Sequence, residues 1–455
     1  MKRVLFACFS VLVFAVIIYL LFTNLLFGIG LFIISFLAAP YVFVAFMTDK
    51  TGVWKPASYY QRYRGDEYPV NKNFFQWWYF SLKDYQEDLS FAFCYSISRP
   101  AEDQKNTGAY LLFAVVEPQS KGHLYYKYPI DSFKVDNHFD VNIGDSKFTI
   151  EVISDDHYRI KGVMNSEENV WVTEGIPAGS EIVWDLDIYR AAGWYGQQDI
   201  EWMQRKGGQI SWNTYAYNSE VEGTVTVDGR EYSFERSKRY RIYCDMNWGE
   251  TFPGTRNPKK QQIDYPWGWY YTGKPDDDPQ KDFSIIAGAG RTQPTKGLLN
   301  DMYARFASIY IRGKKIDARL CKVFDVKPDK GIAFFHPSSD KTCKVFSVER
   351  SSWEEYEDEF GKARIPMVQI IKIETDSNKI VMKFESKKSN YNRLLFPTDG
   401  YIFSDFEGLG VLCTTELYEK KDGAFSLVET IVDNNAGLEY GYRIDDELDQ
   451  RPFLL

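Results

Sequence analysis

The stretch Gly223-Thr-Val-Thr-Val-Asp-Gly-Arg-Glu-Tyr-Ser-Phe234 decides the fold class, because β-branched and polar residues alternate on both sides of Asp228-Gly229. Asp-Gly between two alternating runs is a strong sequence signal for a β-hairpin. β-Branched or aromatic runs with two-residue periodicity recur at residues 91–97, 110–116, 148–153, 182–188, 283–286, 306–311, 368–373 and 379–384. Many short strands at regular spacing indicate an all-β protein built as antiparallel barrels or sandwiches.

The length of the chain sets the expected number of domains. About 400 of the 455 residues follow the apolar N-terminus, which is enough for two domains with sizeable cores. Proline, glycine, lysine and aspartate cluster between residues 252 and 282. We therefore expect a linker at residues 49–72 and two antiparallel barrels, at residues 73–255 and 256–455. Residues 353–362 and 198–206 are candidates for helices, and Asp376-Ser-Asn-Lys379 predicts a turn.

The N-terminus predicts a membrane anchor. Residues 4–47 carry no charge, and a membrane-spanning helix needs about 20 apolar residues, so this stretch has the length of two helices. Lys2 and Arg3 precede it and Lys50 and Lys55 follow it, which by the positive-inside tendency places both ends in the cytosol. We expect a transmembrane helical hairpin at residues 1–48, and an integral membrane protein with its soluble domains on the cytosolic side. A signal peptide followed by one helix is the alternative.

Composition and motifs argue against several classes of function. The formal net charge of −9 disfavours nucleic-acid binding. The sequence has no P-loop, no G-x-G-x-x-G after a strand, no G-x-S-x-G and no H-E-x-x-H, and its 4 histidines are not spaced as metal ligands. Its 6 cysteines include no C-x-x-C pair, which is typical of a reduced compartment. We expect neither a metal nor a cofactor.

Aromatic residues are concentrated in three short runs: Asn73-Phe-Phe-Gln-Trp-Trp-Tyr-Phe80, Tyr243-Cys-Asp-Met-Asn-Trp-Gly-Glu-Thr-Phe-Pro253 and Tyr265-Pro-Trp-Gly-Trp-Tyr-Tyr271. Ten of the 12 tryptophans lie between Trp77 and Trp269. Tyrosine and tryptophan combine a large apolar area with a polar group that needs a partner when it is buried. Such residues either fill a core or line a pocket for a flat apolar ligand, and composition alone leaves both interpretations open.

Two of these runs resemble the signatures of a known superfamily. Phe75-Gln-Trp-Trp-Tyr-Phe80 resembles the opening signature of the tocopherol cyclases, carotenoid 1,2-hydratases and hydroxyneurosporene synthases, which is an acidic residue, then Gly or Trp, then Trp-Tyr-Phe. Tyr243-Cys-Asp-Met-Asn-Trp-Gly249 is similar to the second signature, an aromatic residue, any residue, an acidic residue, one more residue and Asn-Trp-Gly. Further likenesses to tocopherol cyclases are Phe252-Pro253 and Trp267-Gly-Trp269.

The resemblance implies a fold and a class of ligand. It implies two tandem lipocalin-like β-barrel domains with an aromatic-lined cavity for a long isoprenoid or polyketide chain. Reactions in this superfamily include acid-promoted ring closure onto an alkene and hydration of an alkene. Such reactions need a proton donor, aromatic faces that stabilise positive charge, and a site without water. The expected partner is therefore a hydrophobic isoprenoid or lipid, reached from the membrane through the N-terminal anchor.

The resemblance also implies site residues. Asp245 is the acidic residue of the second signature and the candidate proton donor, because a carboxyl group in apolar surroundings has a raised pKa. A structural carboxylate, hydrogen-bonded to backbone or to Asn247, is the alternative for Asp245. The candidate ligand-binding residues all belong to the three aromatic runs: Gln76, Trp77, Trp78, Tyr79, Tyr243, Asn247, Trp248, Trp267 and Trp269.

Two positions depart from the superfamily pattern. Gln76 stands where relatives carry a carboxylate, and Met246 stands where the hydratase signature often has histidine. Neither side chain can donate a proton as an acid does. Two functions of different class follow. The first is a membrane-anchored cyclase, hydratase or isomerase that acts on an isoprenoid or polyene, and the second is a non-catalytic lipid-binding or lipid-transfer protein on the same scaffold.

Overall fold

The computed structural model describes residues 15–20, 23, 25, 29, 63–67, 73–100, 107–118, 120–136, 140–190, 210–250, 256–257, 262–263, 267–278, 280–292, 302–312, 314–327, 330–334, 345–358, 361–398 and 401–444. Almost all of these residues lie in β-strands that form two large antiparallel sheets. The predicted all-β class is confirmed.

The first sheet has 13 strands: β1 (Phe74–Asp84), β2 (Leu89–Arg99), β3 (Gly108–Glu117), β4 (Ser120–Tyr128), β5 (Phe133–Asp136), β6 (Asp140–Ile143), β7 (Phe148–Ser154), β8 (His157–Asn165), β9 (Val170–Glu174), β10 (Glu181–Tyr189), β11 (Ile210–Val227), β12 (Arg230–Phe234) and β13 (Tyr240–Gly249). Their order is β5-β6-β7-β8-β10-β11-β13-β1-β2-β3-β4-β9, and β12 pairs with β11. Short 3-10 turns lie at Gly65–Glu67 and Ile130–Ser132.

The first sheet curves around its own core. Trp184 on β10 packs against Phe93 on β2 and Phe113 on β3, with ring centroids 5.1 and 6.0 Å apart. In the order of the sheet, β10 is separated from β2 by three strands, so these rings meet across an interior. The indole Nε1 of Trp184 donates a hydrogen bond to the Tyr95 hydroxyl at 2.7 Å across the same interior. Large residues on the inward positions of a curved sheet fill it as a packed core.

The second sheet has 11 strands: β16 (Trp267–Lys274), β17 (Phe283–Thr292), β18 (Met302–Ile311), β19 (Lys314–Lys327), β20 (Lys330–Phe334), β21 (Val345–Asp358), β22 (Gly361–Glu374), β23 (Asn378–Glu385), β24 (Tyr391–Thr398), β25 (Tyr401–Lys421) and β26 (Ala424–Ile444). Their order is β20-β19-β18-β17-β16-β26-β25-β23-β22-β21, with β24 paired to β25. A separate two-stranded pair, β14 (Arg256–Asn257) and β15 (Gln262–Ile263), lies between the sheets in the sequence. A 3-10 turn, Lys388–Asn390, precedes β24.

Each strand run predicted from two-residue periodicity lies within an observed strand. The predicted hairpin is the turn between β11 and β12, where Asp228 and Gly229 have φ of 51° and 77°, the left-handed region that Asp-Gly turns use. The predicted helix at residues 353–362 is wrong, because residues up to Asp358 belong to β21 and Gly361 begins β22. The helix predicted at residues 198–206 lies outside the described residues.

The predicted transmembrane hairpin falls almost wholly outside the described residues. Of residues 1–48, only 15–20, 23, 25 and 29 are described, and they are helical. Within the part of the chain that the structure describes, no helix is both long enough and apolar enough to span a membrane. The anchor and the cytosolic location stay predictions.

A third cluster of buried side chains lies between the two sheets. It combines residues from both: Tyr79, Ala92, Cys94, Tyr110, Leu112, Ala114, Val116, Tyr125, Trp212 and Tyr243 from the first sheet, and Trp269, Tyr271, Ile286, Leu394 and Leu409 from the second. The strand β13 is buried at every position, and β1 at all but one. A strand is buried along its length when both of its faces are covered. In β1 and β13, one face lines the interior of the first sheet and the other faces the second sheet.

Candidate functional site

The strand pairing of β1 and β13 brings the two signature runs together. These strands are antiparallel neighbours, and their register places Tyr79 opposite Asp245 and Trp77 opposite Asn247. Side chains directly opposite each other share one face of a sheet. Because successive residues point to opposite faces, Tyr243, Asp245 and Asn247 project toward the second sheet. This inter-sheet face holds the candidate site.

Asp245 is held there by three hydrogen-bond donors. Its Oδ2 atom accepts hydrogen bonds from the Tyr243 hydroxyl at 2.6 Å and from the Trp212 indole Nε1 at 2.7 Å. Its Oδ1 atom accepts a longer hydrogen bond from Asn247 Nδ2 at 3.2 Å. The side chain is only 4% exposed. The hydrogen bond between Asn247 and Asp245, which the sequence suggested as an alternative, is therefore present. Trp212 and Tyr243 donate two further hydrogen bonds to Asp245.

Burial controls the protonation of Asp245. Removal from water raises the pKa of this carboxyl group from 3.8 to about 8, although the hydrogen bonds from Tyr243 and Trp212 act in the opposite direction. Desolvation disfavours the charged form of a carboxyl group, and hydrogen bonds to the carboxylate favour it. At neutral pH, Asp245 is therefore largely protonated, and the groups around it are arranged to stabilise the anion left by loss of that proton.

An aromatic wall continues from Asp245 onto the second sheet. The Trp269 indole Nε1 donates a hydrogen bond to the Tyr243 hydroxyl at 3.0 Å, and the two ring centroids are 5.0 Å apart. Tyr271 lies 5.3 Å from Tyr243, and Tyr79 lies 6.1 Å from Trp269. These rings come from strands β1, β13 and β16, so the wall exists only where the two sheets meet. The sequence identified Tyr79, Tyr243 and Trp269, but Trp212 and Tyr271 were missed as site residues.

A cluster of three carboxyl groups lies beside this wall. Glu439 is paired across the strands with both Trp269 and Glu407, and Asp405 is two residues from Glu407 on β25. The carboxylate oxygens of Asp405, Glu407 and Glu439 lie within 4.8 Å of one another. The Tyr79 hydroxyl donates a hydrogen bond to Glu407 Oε1 at 2.5 Å.

This carboxyl cluster holds protons. Burial raises the pKa of Asp405 and of Glu407 well above the ordinary range, and the negative charge of Glu439 raises both further. Three carboxylates in contact cannot all be ionised at modest cost. Three carboxylate oxygens are also a ligand set that Mg²⁺ or Ca²⁺ accepts. The only sequence signal for the cluster was the spacing of Asp405 and Glu407 by two in a β-strand run.

Three predicted ligand-binding residues lie on the opposite face. Trp78 and Trp248 belong to the interior core of the first sheet, and Gln76 is directly opposite Trp248 in the register. The Gln76 Nε2 atom contacts Met246 Sδ at 2.9 Å, and Gln76 Oε1 accepts a hydrogen bond from the Arg64 backbone N–H at 2.8 Å. A wall containing Asp245 together with Trp78 or Trp248 is therefore wrong, because two-residue alternation separates them.

The remaining predicted residues divide as follows. Trp77 is partly buried and packs against the inter-sheet cluster. Trp267 begins β16, and its side chain lies outside the described residues. Of the nine predicted ligand-binding residues, the structure brings Trp77, Tyr79, Tyr243, Asn247 and Trp269 to the face of Asp245.

A cavity of about 340 Å³ lies at one end of the region between the sheets. Its lining comes from both of them: Tyr85, Gln86, Asp88, Lys238, Arg239, Gly273, Lys274, Pro275, Val432, Asp433, Asn434 and Asn435. Asp245 is not among these residues, so the predicted cavity beside Asp245 stays a prediction. The contacts Tyr243–Tyr271 and Tyr243–Asp245 link β16, which contributes to the cavity, with the buried carboxyl group.

Comparisons with known proteins give structural matches only. No protein-family model and no curated protein matches the chain. The structure of CghA matches with a TM-score of 0.45 and 12% sequence identity, over 82% of this chain and 89% of that chain. CghA with Sch210972 matches with a TM-score of 0.45 and 10% identity, over 88% and 98% of the two chains. Kievitone hydratase from Nectria haematococca matches with a TM-score of 0.46 and 10% identity, over 88% and 98%.

Proposed function

We propose that the inter-sheet face binds a long unsaturated isoprenoid and that Asp245 promotes its cyclisation, hydration or isomerisation by proton transfer. One observation carries this proposal. Asp245 is buried among Trp212, Tyr243 and Trp269, and its pKa is raised to about 8. A neutral carboxylic acid at physiological pH, surrounded by aromatic rings, is the group that protonation of an alkene requires.

The chemistry uses Asp245 as an acid and then as a base. The carboxyl group transfers its proton to one carbon of a ligand C=C bond, which leaves a carbocation on the other carbon. An oxygen atom of the same ligand, or of water, captures the cation and closes a ring or forms an alcohol. The proton lost from that oxygen returns to Asp245. Loss of a proton from a neighbouring carbon instead gives an isomerised alkene, and that proton also restores the acid.

The surrounding groups favour the charged intermediate state. When Asp245 becomes an anion, it already accepts hydrogen bonds from Trp212, Tyr243 and Asn247, so no reorganisation is needed. The faces of the Trp269 and Tyr271 rings can stabilise positive charge on the ligand through their quadrupoles. Burial between the sheets excludes bulk water, so that the cation reacts with the ligand's own oxygen or, in hydration, with a single water molecule.

The membrane anchor belongs to the same proposal. An isoprenoid ligand partitions into the bilayer, and the uncharged residues 4–47 would hold the site beside that reservoir. A protease-protection assay in sealed microsomes tests the orientation. We expect tags at both termini to be digested without detergent, and protection of the C-terminal tag would contradict a cytosolic site.

A second function, non-catalytic lipid carriage, is favoured by the hydrogen bonding of Asp245. Three donors directed at one carboxylate also fit a purely structural role, in which Asp245 fixes Trp212 and Tyr243 in place. The polar departures Gln76 and Met246 contact each other on the opposite face and supply no acid. A carrier would retain the aromatic wall without needing a proton from Asp245.

One experiment separates these functions. Lipids that co-purify with the detergent-extracted protein are identified by mass spectrometry, and the same lipid is then incubated with fresh protein. An enzyme gives a product of unchanged mass or a product heavier by one water. We expect Asp245→Asn to lower the rate by about 10²–10⁴-fold while binding is retained, because only the proton is removed.

The matched control is Asp282→Asn. Asp282 is also a buried carboxyl group whose pKa is raised by desolvation, but it lies just before β17, where its Oδ1 atom accepts a hydrogen bond from the Asp276 backbone N–H at 3.4 Å. We expect Asp282→Asn to retain turnover. Product formation by Asp245→Asn at the wild-type rate would contradict the role of Asp245 as the acid. Wild-type protein that binds the lipid and forms no product would leave the carrier, whereas absence of any bound lipid would contradict both functions.

A further inference from the structure

Lys83 is a buried cation on the same inter-sheet face. It lies on β1, four residues after Tyr79 and therefore on the same side of the strand. Its side chain is 0% exposed, and its Nζ atom lies 4.2 Å from the centroid of the Tyr271 ring. Among the described residues, no hydrogen-bond acceptor contacts that Nζ atom. Lysine is rarely fully buried without a partner, because an ammonium group removed from water is costly.

The acidic groups that act on Lys83 do not hydrogen-bond it. Asp433 and Glu407 favour the charged form of Lys83 when they are ionised, but among the described residues neither carboxyl group accepts a hydrogen bond from its Nζ atom. Asp433 Oδ2 accepts hydrogen bonds from Thr272 Oγ1 at 2.8 Å and from the Gly273 backbone N–H at 3.0 Å. Glu407 accepts the hydrogen bond of Tyr79. Burial lowers the pKa of Lys83 to about 8, which indicates that these carboxylates do not fully compensate its desolvation.

Lys83 lies beside the aromatic wall. Gly437 lies next to both groups: a Cβ atom built on it would be 2.9 Å from the Trp269 ring and 3.6 Å from Lys83 Nζ. The ammonium group therefore lies close to the Trp269 ring. Tyr271, under the ammonium group, is also 5.3 Å from Tyr243, which holds Asp245. The aromatic wall therefore connects the two residues: Lys83 lies against Tyr271, and Asp245 lies against the neighbouring Tyr243.

We propose that Lys83 binds an anionic oxygen at the head of the ligand, so that the ligand is an unsaturated isoprenoid acid or a similar lipid with a carboxylate, enolate or phenolate group. This inference rests on the proposed function, because it places the same ligand on the same face. The anion supplies the missing hydrogen-bond acceptor of Lys83 and balances its charge. Charge-assisted hydrogen bonds in a site without water are among the stronger polar contacts. The head group at Lys83 would then fix which part of the chain reaches Asp245.

The test compares two polyenes that differ only at the head group. All-trans retinoic acid and all-trans retinol are titrated into the full-length protein in detergent, and binding is followed by quenching of tryptophan fluorescence. We expect the wild-type protein to bind retinoic acid more tightly. We expect Lys83→Met to weaken retinoic acid binding by about ten- to a hundredfold, while retinol affinity changes by less than about twofold.

Two further variants keep the test decisive. Lys83→Arg retains the charge and should retain most of the preference for retinoic acid, and Lys83→Gln replaces Lys83→Met if the latter does not fold. The matched control is Lys379→Met, because Lys379 also lies over a tyrosine, with its Nζ 4.8 Å from the Tyr418 ring, but outside this site. We expect Lys379→Met to leave both affinities unchanged.

The outcomes distinguish the two proposals. If wild-type protein binds retinol and retinoic acid equally, or if Lys83→Met weakens both equally, Lys83 is a structural residue and the head-group inference is wrong, while apolar ligand binding stands. If Lys379→Met lowers retinoic acid affinity as much as Lys83→Met does, the effect is one of overall charge, and the inference is again wrong. If wild-type protein binds neither polyene, the proposed function fails and the head-group inference fails with it.

Discussion

The two faces of the β1–β13 pair differ in chemistry, although alternate residues of the same two strands form them. The interior face carries Trp78 and Trp248, which pack into a core of apolar side chains. The inter-sheet face carries Tyr79, Tyr243 and Asp245. Tyr243 donates a hydrogen bond to Asp245 and accepts one from Trp269 of the second sheet, and Tyr79 donates one to Glu407 of that sheet. All five side chains from β1 and β13 are less than 5% exposed, so burial alone does not separate core from site.

The two faces differ in the polar and titratable groups that they carry. The interior face has few polar atoms: Gln76 contacts Met246 and the Arg64 backbone, and the Cys244 thiol, whose pKa is raised by burial, accepts a hydrogen bond from Tyr158 at 3.4 Å. The inter-sheet face concentrates titratable groups whose pKa values are shifted by burial, among them Asp245, Glu407 and Lys83. Buried titratable groups with shifted pKa values are more typical of functional sites than of cores. The proposed function therefore places chemistry on the inter-sheet face and leaves stability to the interior face.

The largest effect on stability is expected on the interior face. Trp78 is fully buried and packs against Phe133, so Trp78→Ala should lower the free energy of unfolding by about 3–5 kcal/mol. Urea denaturation measures this change. Retinol affinity of the folded variant should be unchanged, whereas Trp269→Ala on the other face should weaken retinol binding. Loss of retinol affinity in Trp78→Ala at unchanged stability would reverse the assignment of the faces.

The second effect concerns the pH dependence of stability. The pKa of Asp245 is about 8 in the folded protein and 3.8 when unperturbed, so its contribution to stability is complete below 3.8 and is lost as the pH rises through 8. Between these values the folded state binds the extra proton, and the folded-to-unfolded ratio falls by up to about tenfold per pH unit. Asp433, Asp405 and Glu407 act in the same direction.

Asp245→Asn should therefore reduce this slope without abolishing it. Urea denaturation at a series of pH values between 4 and 8 gives the comparison, with Asp185→Asn as the control, because Asp185 is a partly exposed partner of Arg159. An unchanged slope in Asp245→Asn would mean that Asp245 is ionised in the folded protein, contrary to its proposed role as an acid.

A smaller effect is expected from Tyr243→Phe. This change removes the hydrogen bond that lowers the pKa of Asp245 and leaves the Trp269 indole N–H without its acceptor. We expect a loss of about 1–3 kcal/mol in the free energy of unfolding. We also expect the high-pH limb of the turnover profile to move to higher pH. A profile that moves to lower pH would show that Tyr243 does not stabilise the Asp245 anion.

The smallest effect is expected from Met246→Leu on the interior face. Substitutions of similar volume in a core usually cost less than about 1.5 kcal/mol, and this one also removes the contact of Met246 Sδ with Gln76. Turnover and retinol affinity should be unchanged, as measured by the same assays. A large fall in turnover would show that the departures at positions 76 and 246 belong to the site after all.

The strands of the fold could be predicted because periodicity and turn chemistry are local. Asp228-Gly229 specifies its own hairpin, whatever surrounds it. The helix prediction at residues 353–362 failed because that run is rich in glutamate, a good helix former, while its structure depends on distant contacts. Tyr356 packs against Phe406, 5.2 Å away between ring centroids, and the part of the run up to Asp358 pairs with β22. Such contacts outweigh local propensity.

Only those residues of the candidate site that belong to the signature runs could be predicted from the sequence. Tyr79, Tyr243 and Asp245 were identified because they stand in the two runs, but the faces of these strands could not be assigned without the register. Glu407, Glu439 and Lys83 were missed because no local pattern distinguishes a carboxylate or ammonium group that faces another sheet from one that faces water. Their positions facing the second sheet depend on how the two sheets pack on each other, which no local pattern encodes.

Photoaffinity labelling tests most directly which face binds the ligand. A farnesyl probe that carries a diazirine at its far end is irradiated with the full-length protein, and the labelled residues are identified by tandem mass spectrometry. Because Trp78 and Tyr79 are neighbours on opposite faces, residue-level assignment is required. We expect label on Tyr79, Tyr243 or Trp269, with competition by excess retinoic acid. Label confined to Trp78 and Trp248 would contradict the inter-sheet site.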